Sequence, residues 1–320
     1  MAIVTGLGTS WNLPNYAGEL FTADMQATPL LSMVGGLTGG MVTTSPEFPT
    51  AQLFEYPEPK QPQISEQASA TAPEARHIDR KQETNVVQIH QNTIDITYHK
   101  LAAKGQMTGL NTAGQTPSPT DELAWQITHS ALIPAARDTE YSFINGTFHR
   151  STSQNDANTT RGMLPLCAEF GTSIDATGAE LDFDILQSLY RAMADAGAHF
   201  SNVVIHVGSL NKQKISNIYS ARPGAVLPAT RNVGGVDVTQ IVTDFGTLGV
   251  VWNRFMPATA LLAADVAYIA PVFMEVPGKG VLFVEELARV GASERRQMYG
   301  EIGLAHGPAF LHGSITNLGA

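Results

Sequence analysis

The segment from Pro57 to Thr84, PEPKQPQISEQASATAPEARHIDRKQET, limits the fold most. It carries four prolines and no aromatic residue, and its only large aliphatics are Ile64 and Ile78. Such a stretch cannot bury enough apolar surface to build a core. Yet FPTAQLFEY (48–56) before it and NVVQIHQNTIDITY (85–98) after it read as strands. In the second, Val87 and Ile89 share one parity and Ile94, Ile96 and Tyr98 the other, which predicts a bulge or two strand segments. A linker has no reason to return to its start, so the pattern predicts a long β-hairpin arm. A two-stranded hairpin is marginal alone in water and leaves edges unpaired. The surface that stabilises it is expected to belong to another copy of the chain.

The rest of the sequence excludes more than it suggests. Of the 320 residues, 43% are hydrophobic and 15% charged, with a net charge of −10. A phosphate-gripping protein would show a basic patch, and the small cluster Arg76–Lys81 contains an acid. Cys167 is the single cysteine, so neither an internal disulfide nor a cysteine-based zinc site is expected. Its setting, MLPLCAEF, reads as a buried inert thiol. The first residues lack a basic stretch followed by an apolar one, so no signal peptide is expected. The apolar run ATALLAADVAYIAPVFM is broken by Asp265 and Pro271, and no membrane partner is expected.

No catalytic constellation holds. GLGTSW lacks the third glycine of a dinucleotide fingerprint, and P-loop and HExxH patterns are absent. His206 precedes Ser209 at a strand-to-helix junction, VIHVGSLNK, which admits a hydrolase reading. The nucleophile elbow G-x-S-x-G is missing, and Ser209 reads better as a helix cap. Asp182 and Asp184 read as cap and dipole partners, because two carboxylates alone hold a divalent cation weakly. No cofactor and no metal is expected.

Helices are predicted from Ser118 to Asn145, with a stripe of Leu123, Ile127, Ala131 and Ala135 and a bend at Pro134, over 181–196 with Gly197 as its stop, and from Ser209 to Tyr219. VDVTQIVTDF and LGVVWNRFM read as a hairpin about a Gly-Thr turn, residues 146–179 as irregular, and the C-terminal QMYGEIGLAHGPAFLHGSITNL as a final strand pair in which His306 and His312 flank a turn. Irregular alternation of helix and strand favours an α+β fold.

The order of motifs carries a resemblance. NVVQI matches an N-x-x-Q-I pattern before a strand. RDTEYSFING (137–146) matches R-D-x-E-x-x-x-I/L-x-G closing a long helix. FGTLGVVWNRFMP (245–257) matches F-G-x-x-x-V-x-x-N-R-F-M-P. Together with TRGMLP and the C-terminal GEIGLAHGPAFLHGSITNLGA, the chain resembles the SU10-like major capsid proteins of tailed bacteriophages, which have the HK97-type fold.

The resemblance implies an N-terminal arm (1–47), an extended β-hairpin loop (48–98), a peripheral domain with a long spine helix (99–159), an axial domain (160–260), a peripheral sheet (261–305) and a strand returning to the axial domain (306–320). It implies self-assembly into pentamers and hexamers of an icosahedral virion head, formed in the bacterial host cytoplasm around double-stranded DNA. Separate scaffolding, portal and decoration proteins are the further partners it suggests, with DNA touched weakly and without specificity. Neighbouring subunits would be met through Phe54, Tyr56, Lys60, Ile64, Arg76, Ile78, Arg80 and Lys81 of the loop, and through Trp11, Tyr16 and Phe21 of the arm. Lysine–asparagine crosslinking, found in some members of this fold, is not expected: Lys60 and Lys81 are available, but no asparagine lies between Asn253 and Asn317. Another virion part, a tail tube or decoration protein, is the next reading, and the Ser209/His206 hydrolase the third.

Overall fold

The computed structural model describes residues 28–55, 59–71, 78–102, 122–220, 230–233 and 236–319. Among them lie two sheets and a hairpin, fourteen strands in all. The hairpin pairs β2 (Glu47–Glu55) with β3 (Asp79–Val86), with a register shift between Pro49 and Ala51. Proline cannot donate to the ladder, so a shift beside it is the expected accommodation.

The five-stranded sheet contains β1 (Met41–Thr43), β4 (Gln88–Thr97), β11 (Ala270–Met274), β12 (Leu282–Glu286) and β13 (Ser293–Ala305). β13, with 13 residues, is its spine. β4 lies along one side of it, while β12 and β11 share the other. The strand pattern after the hairpin is therefore two segments. The hairpin ends at Val86 and β4 belongs to the sheet, which corrects the expected loop end at residue 98. Ile89 is 62% exposed while Ile94 and Ile96 are buried. Its apolar parity with Val87 was misleading, because the chain passes from the hairpin to the five-stranded sheet at that point.

The seven-stranded sheet runs β5 (Thr172–Asp175), β14 (Gly313–Thr316), β10 (Leu261–Asp265), β6 (Val203–Val207), β9 (Gly246–Trp252), β8 (Val236–Thr243) and β7 (Thr230–Val233). β6 is buried at all five positions, as a near-continuous apolar strand should be. Leu261–Asp265, expected in the other sheet, pairs with β6 and β14. The last two strands do not pair with each other. β13 and β14 sit in different sheets, joined by a connector that holds a 3-10 turn at Ala309–Leu311. The β8–β9 turn is Asp244–Phe245, with Gly246 already in the strand.

The helices are α1 (Pro29–Met33), α2 (Glu66–Ser69), α3 (Tyr98–Ala102), α4 (Glu122–Ile127), α5 (Ile133–Asn145), α6 (Met163–Glu169), α7 (Phe183–Asp195) and α8 (Ser209–Ser220). α1 and β1 lie within the expected irregular arm, and α6 and β5 within the expected irregular stretch. Asp182 Oδ1 accepts the Ile185 N–H as the α7 cap. Leu186, Leu189, Tyr190 and Met193 form its buried stripe, each side chain contributing roughly 1.5–3 kcal/mol on burial. Gly197 ends the run at φ 91°. At α8 the first intrahelical amide, Lys212 N–H, donates to Gly208 O, so Ser209 is the first helical residue and not the cap.

α4 and α5 are one helix joined by a π-helical turn, Thr128–Leu132. Proline 134 is its cause. Lacking an N–H, Pro134 leaves Ser130 O without its helical donor, and Ile133 N–H reaches back to Thr128 O. Asn92 Nδ2, from β4, donates to the freed Ser130 carbonyl. The expected bend is thus a change of helical register repaired by the sheet. Ser118 and Pro119 lie outside the described residues. The stripe Leu123, Ile127, Ala131 and Ala135 packs on Ile94, Ile96 and Met298 of the sheet. A central cluster, including Leu30, Phe143, Met163, Leu262, Phe273 and Leu304, joins the two sheets into one body.

Candidate assembly surfaces and the junctions beneath them

All described residues from 59 to 71 are exposed, and α2 within them is a single turn capped by Ser65 Oγ, which accepts the Ala68 N–H. Lys60, Ile64, Ile78, Arg80 and Lys81 are exposed, Ile64 by 71%. Phe54 lies on β2 opposite Arg80. Tyr56 and Arg76, and the arm residues Trp11, Tyr16 and Phe21, lie outside the described residues.

The root of the hairpin is the opposite of its tip. Asn85, fully buried, uses both ends of its amide. Oδ1 accepts from Arg161 N at 2.8 Å and Val86 N at 2.9 Å, and Nδ2 donates to Leu304 O at 2.8 Å and Arg161 O at 3.2 Å. Three residues on, Gln88 Nε2 donates to Ser142 Oγ of α5 at 2.9 Å, and Gln88 Oε1 accepts from Thr160 N at 3.2 Å. Thr160 Oγ1 in turn accepts from Leu304 N. Arg161 lies between the rings of Phe148 and Phe170, 4.5 and 4.9 Å from their centroids, and reaches Glu169 at 3.5 Å. Gly303 completes the fit. A Cβ there would stand 2.8 Å from Val86 O and 2.9 Å from the Phe48 ring, so only glycine lets the hairpin root cross β13. A cleft of about 450 Å³ opens beside the root, where Arg150 pairs with Glu47 at 2.9 Å.

A second polar junction joins α1, α5 and the turn after β9. Glu140, fully buried, accepts from Leu30 N at 2.9 Å and Leu31 N at 2.7 Å, and from Asn253 Nδ2 at 2.6 Å. Burial pushes its carboxyl above the usual range, and the three donors pull it back. Asn253 Oδ1 also accepts from Phe255 N, and Asn145 Nδ2 donates to Phe255 O.

His306 and His312 hold the connector between the sheets. Asp265 N–H donates to His312 Nδ1, so Nε2 carries the proton and donates to His306 O at 2.7 Å. Gly307 O accepts from His306 Nδ1, which leaves Nε2 to accept from the Thr50 hydroxyl at 3.1 Å. Burial lowers both rings to about 4.

His206 is fully buried and also lowered to about 4 by burial. Ser209 is exposed on α8, so the two residues of the hydrolase reading occupy different environments and form no dyad. Cys167 is buried, its thiol pushed up to about 12. Among the described residues no cluster of potential metal ligands occurs, and no helix is long and apolar enough to cross a membrane.

The sequence reading missed the edge strand β1, where Met41 and Val42 are 58% and 59% exposed, and the β8–β9 tip, where Val242 is 63% exposed. The paired glycines before Met41 were the available signal for the first; the second carries none beyond the hairpin itself.

Four motifs thus converge on two junctions. NVVQI and TRGMLP meet at the hairpin root, and RDTEYSFING and WNRFMP meet at Glu140. Residues 3–319 match the SU10 major capsid protein family. The chain belongs to that family. It is a capsid shell protein of the virion, structural and not enzymatic. No curated protein matches it in sequence. Solved capsids share its fold. The capsid protein in the cyanophage A-1(L) asymmetric unit superposes with a TM-score of 0.59 at 11% identity, over 92% of this chain and 94% of that one. The Mycobacterium phage Patience structure gives 0.58 at 12% identity, over 99% and 90%. The SrpI encapsulin of Synechococcus elongatus PCC 7942 gives 0.56 at 12% identity, over 88% and 85%. The α+β architecture of this capsid protein is therefore HK97-like.

Proposed function

We propose that copies of this capsid protein form pentamers and hexamers that close into an icosahedral head around double-stranded DNA, each hairpin tip lying on a neighbouring subunit. The seven-stranded half serves as the axial domain around the symmetry axes. The five-stranded sheet with α4 and α5 serves as the peripheral domain. The N-terminal arm (1–47) ties adjacent units through Trp11, Tyr16 and Phe21, and Phe54, Tyr56, Lys60, Ile64, Arg76, Ile78, Arg80 and Lys81 meet the neighbour. One observation carries the reading: the described tip, 59–71, is exposed throughout while the root is fixed by buried polar contacts. A segment held out so firmly has its partner outside its own body. A standard interface buries about 1,600 Å² in total, and several modest ones acting together close a shell effectively irreversibly. Head-to-tail contacts of this kind close into rings or run on as open arrays. Separate scaffolding, portal and decoration proteins would complete the head. The net charge of −10 suits a wall that does not bind the packaged DNA tightly.

Deleting residues 60–80 tests this. The deletion chain keeps near-normal circular dichroism and forms no closed shells in electron microscopy. Normal shells from it would refute the role of the hairpin.

A further inference from the structure

We infer that Asn85 sets the angle of the hairpin arm and thereby the uniformity of the particle the chain closes. This rests on the assembly reading above and names the residue that positions its contact.

The root, like the Glu140 junction, is anchored by buried polar contacts. Asn85 is the next-to-last residue of β3, just before the hairpin gives way to β4, and its amide acts as an extra peptide unit between two backbones. It both accepts from and donates to Arg161, as a strand neighbour would, and it donates across to Leu304 at the end of β13. Thr160 Oγ1 closes the same bridge from the other side through Leu304 N–H. The apolar packing at the root is small: Phe48, Val87, Val272 and Ala305 form a buried cluster with Met274 against it, beside the buried Val86 and Ala51. Apolar contacts are non-directional and tolerate sliding, whereas hydrogen bonds weaken steeply off axis. Asn85, with four hydrogen bonds, is therefore the largest directional contributor to the angle of the arm, beside Gln88 and the close approach at Gly303.

Leverage makes the angle matter. β3 has eight residues, which at about 3.3 Å each gives an arm of roughly 26 Å. A tilt of about 10° at the root moves the far end by roughly 4–5 Å. That exceeds the tolerance of any hydrogen-bonded contact at the tip. In a head-to-tail ring each tip places the next copy, so an error repeats at every subunit and spoils closure.

Asn85→Ala tests the inference in the full chain. Exchange of the Arg161 amide should rise at least tenfold. Circular dichroism should stay near normal, and particles should become heterogeneous, with the spread of diameters at least doubled or open arrays replacing shells. Asn85→Asp, nearly isosteric, keeps both acceptor bonds but places a carboxylate oxygen against two carbonyls; the same loss of uniformity is expected, and this variant carries the test should the alanine chain not fold. Leu186→Ala, in the seven-stranded half, should lower the unfolding midpoint while the spread of diameters stays as in the unaltered chain. Uniform shells of unaltered diameter from the Asn85 variants overturn the inference. So does an equal broadening in Leu186→Ala, which would reduce the effect to lost stability. An unaltered chain that forms no closed particle sinks the assembly reading itself, and this inference with it.

Discussion

Removing Glu140 isolates the strength of the junction between α1, α5 and the turn after β9. Its carboxylate is fully buried and receives Leu30 N–H, Leu31 N–H and the Asn253 side-chain amide. Truncation to alanine orphans three donors, each worth about 1–3 kcal/mol when buried without a partner. Against that stands relief of the carboxylate's own desolvation, several kcal/mol. The net expectation for Glu140→Ala is a loss of about 3 kcal/mol. Glu140→Gln should cost less, about 1–2 kcal/mol, because one oxygen still serves Leu30 and Asn253 while the new NH₂ opposes Leu31 N–H. Urea unfolding of the dilute, unassembled chain measures both, and amide exchange at Leu30 and Leu31 locates the damage. Asn253→Ala completes a double-mutant cycle, with an expected coupling of about 1–2 kcal/mol. The reasoning fails if Glu140→Ala stays within about 0.5 kcal/mol of the unaltered chain with both amides still protected.

Two further outcomes follow from the same geometry. Gly303→Ala should cost about 1–3 kcal/mol and raise exchange at Val86, because the added methyl meets Val86 O and the Phe48 ring below 3.0 Å; an unchanged urea midpoint and unchanged exchange would show that the root can shift freely. Three of the four buried histidines, His206, His306 and His312, give a pH dependence with a definite sign, to which His90, also lowered by burial, adds. The rings of those three sit at about 4 in the fold against the ordinary 6.5, so the unfolded chain takes up protons first. Stability is full above about pH 6.5 and falls as pH drops toward 4, by about 3 kcal/mol per ring at most. Glu83 and Glu140, both raised by burial, work against that slope. Urea midpoints at pH 7 and pH 5 measure the difference, and equal midpoints would contradict it.

What the sequence disclosed and what it hid divide along a physical line. Local signals were readable. The prolines and missing aromatics of 57–84 marked a segment with no core of its own, although its last residues, 79–84, form most of the returning strand β3; Asp182 marked a helix start, and Gly197 marked its end. Sheet membership was not readable, since an apolar run such as Leu261–Asp265 suits either sheet and only its partners decide. The connector HGPAFLH looked like a turn, which hid that β13 and β14 part company there. The four-residue β5 is too short to show a period. The polar junctions were least visible. Asn253 and Glu140 are 113 positions apart, and Asn85 and Arg161 are 76 apart. A buried Asn or Glu in isolation carries no sign of which distant backbone it will satisfy.

That concealment explains where the family motifs sit. The residues that carry the resemblance are not the exposed ones through which copies would meet. Several of them, Asn85, Gln88, Glu140 and Asn253, are buried or partly buried at places where arm, helix and sheets are joined, while others, such as Ile89, Asp138, Phe245 and Arg254, are exposed. Surfaces can change by many compensating routes, because any complementary pair of faces will bind. A buried amide or carboxylate that satisfies three or four groups at once has few substitutes, since each alternative leaves a donor or acceptor unpaired. For a subunit repeated many times around closed symmetry, the angles between its parts are what every contact shares. In the assembly proposed above, the junctions at Asn85 and Glu140 are where those angles would be set.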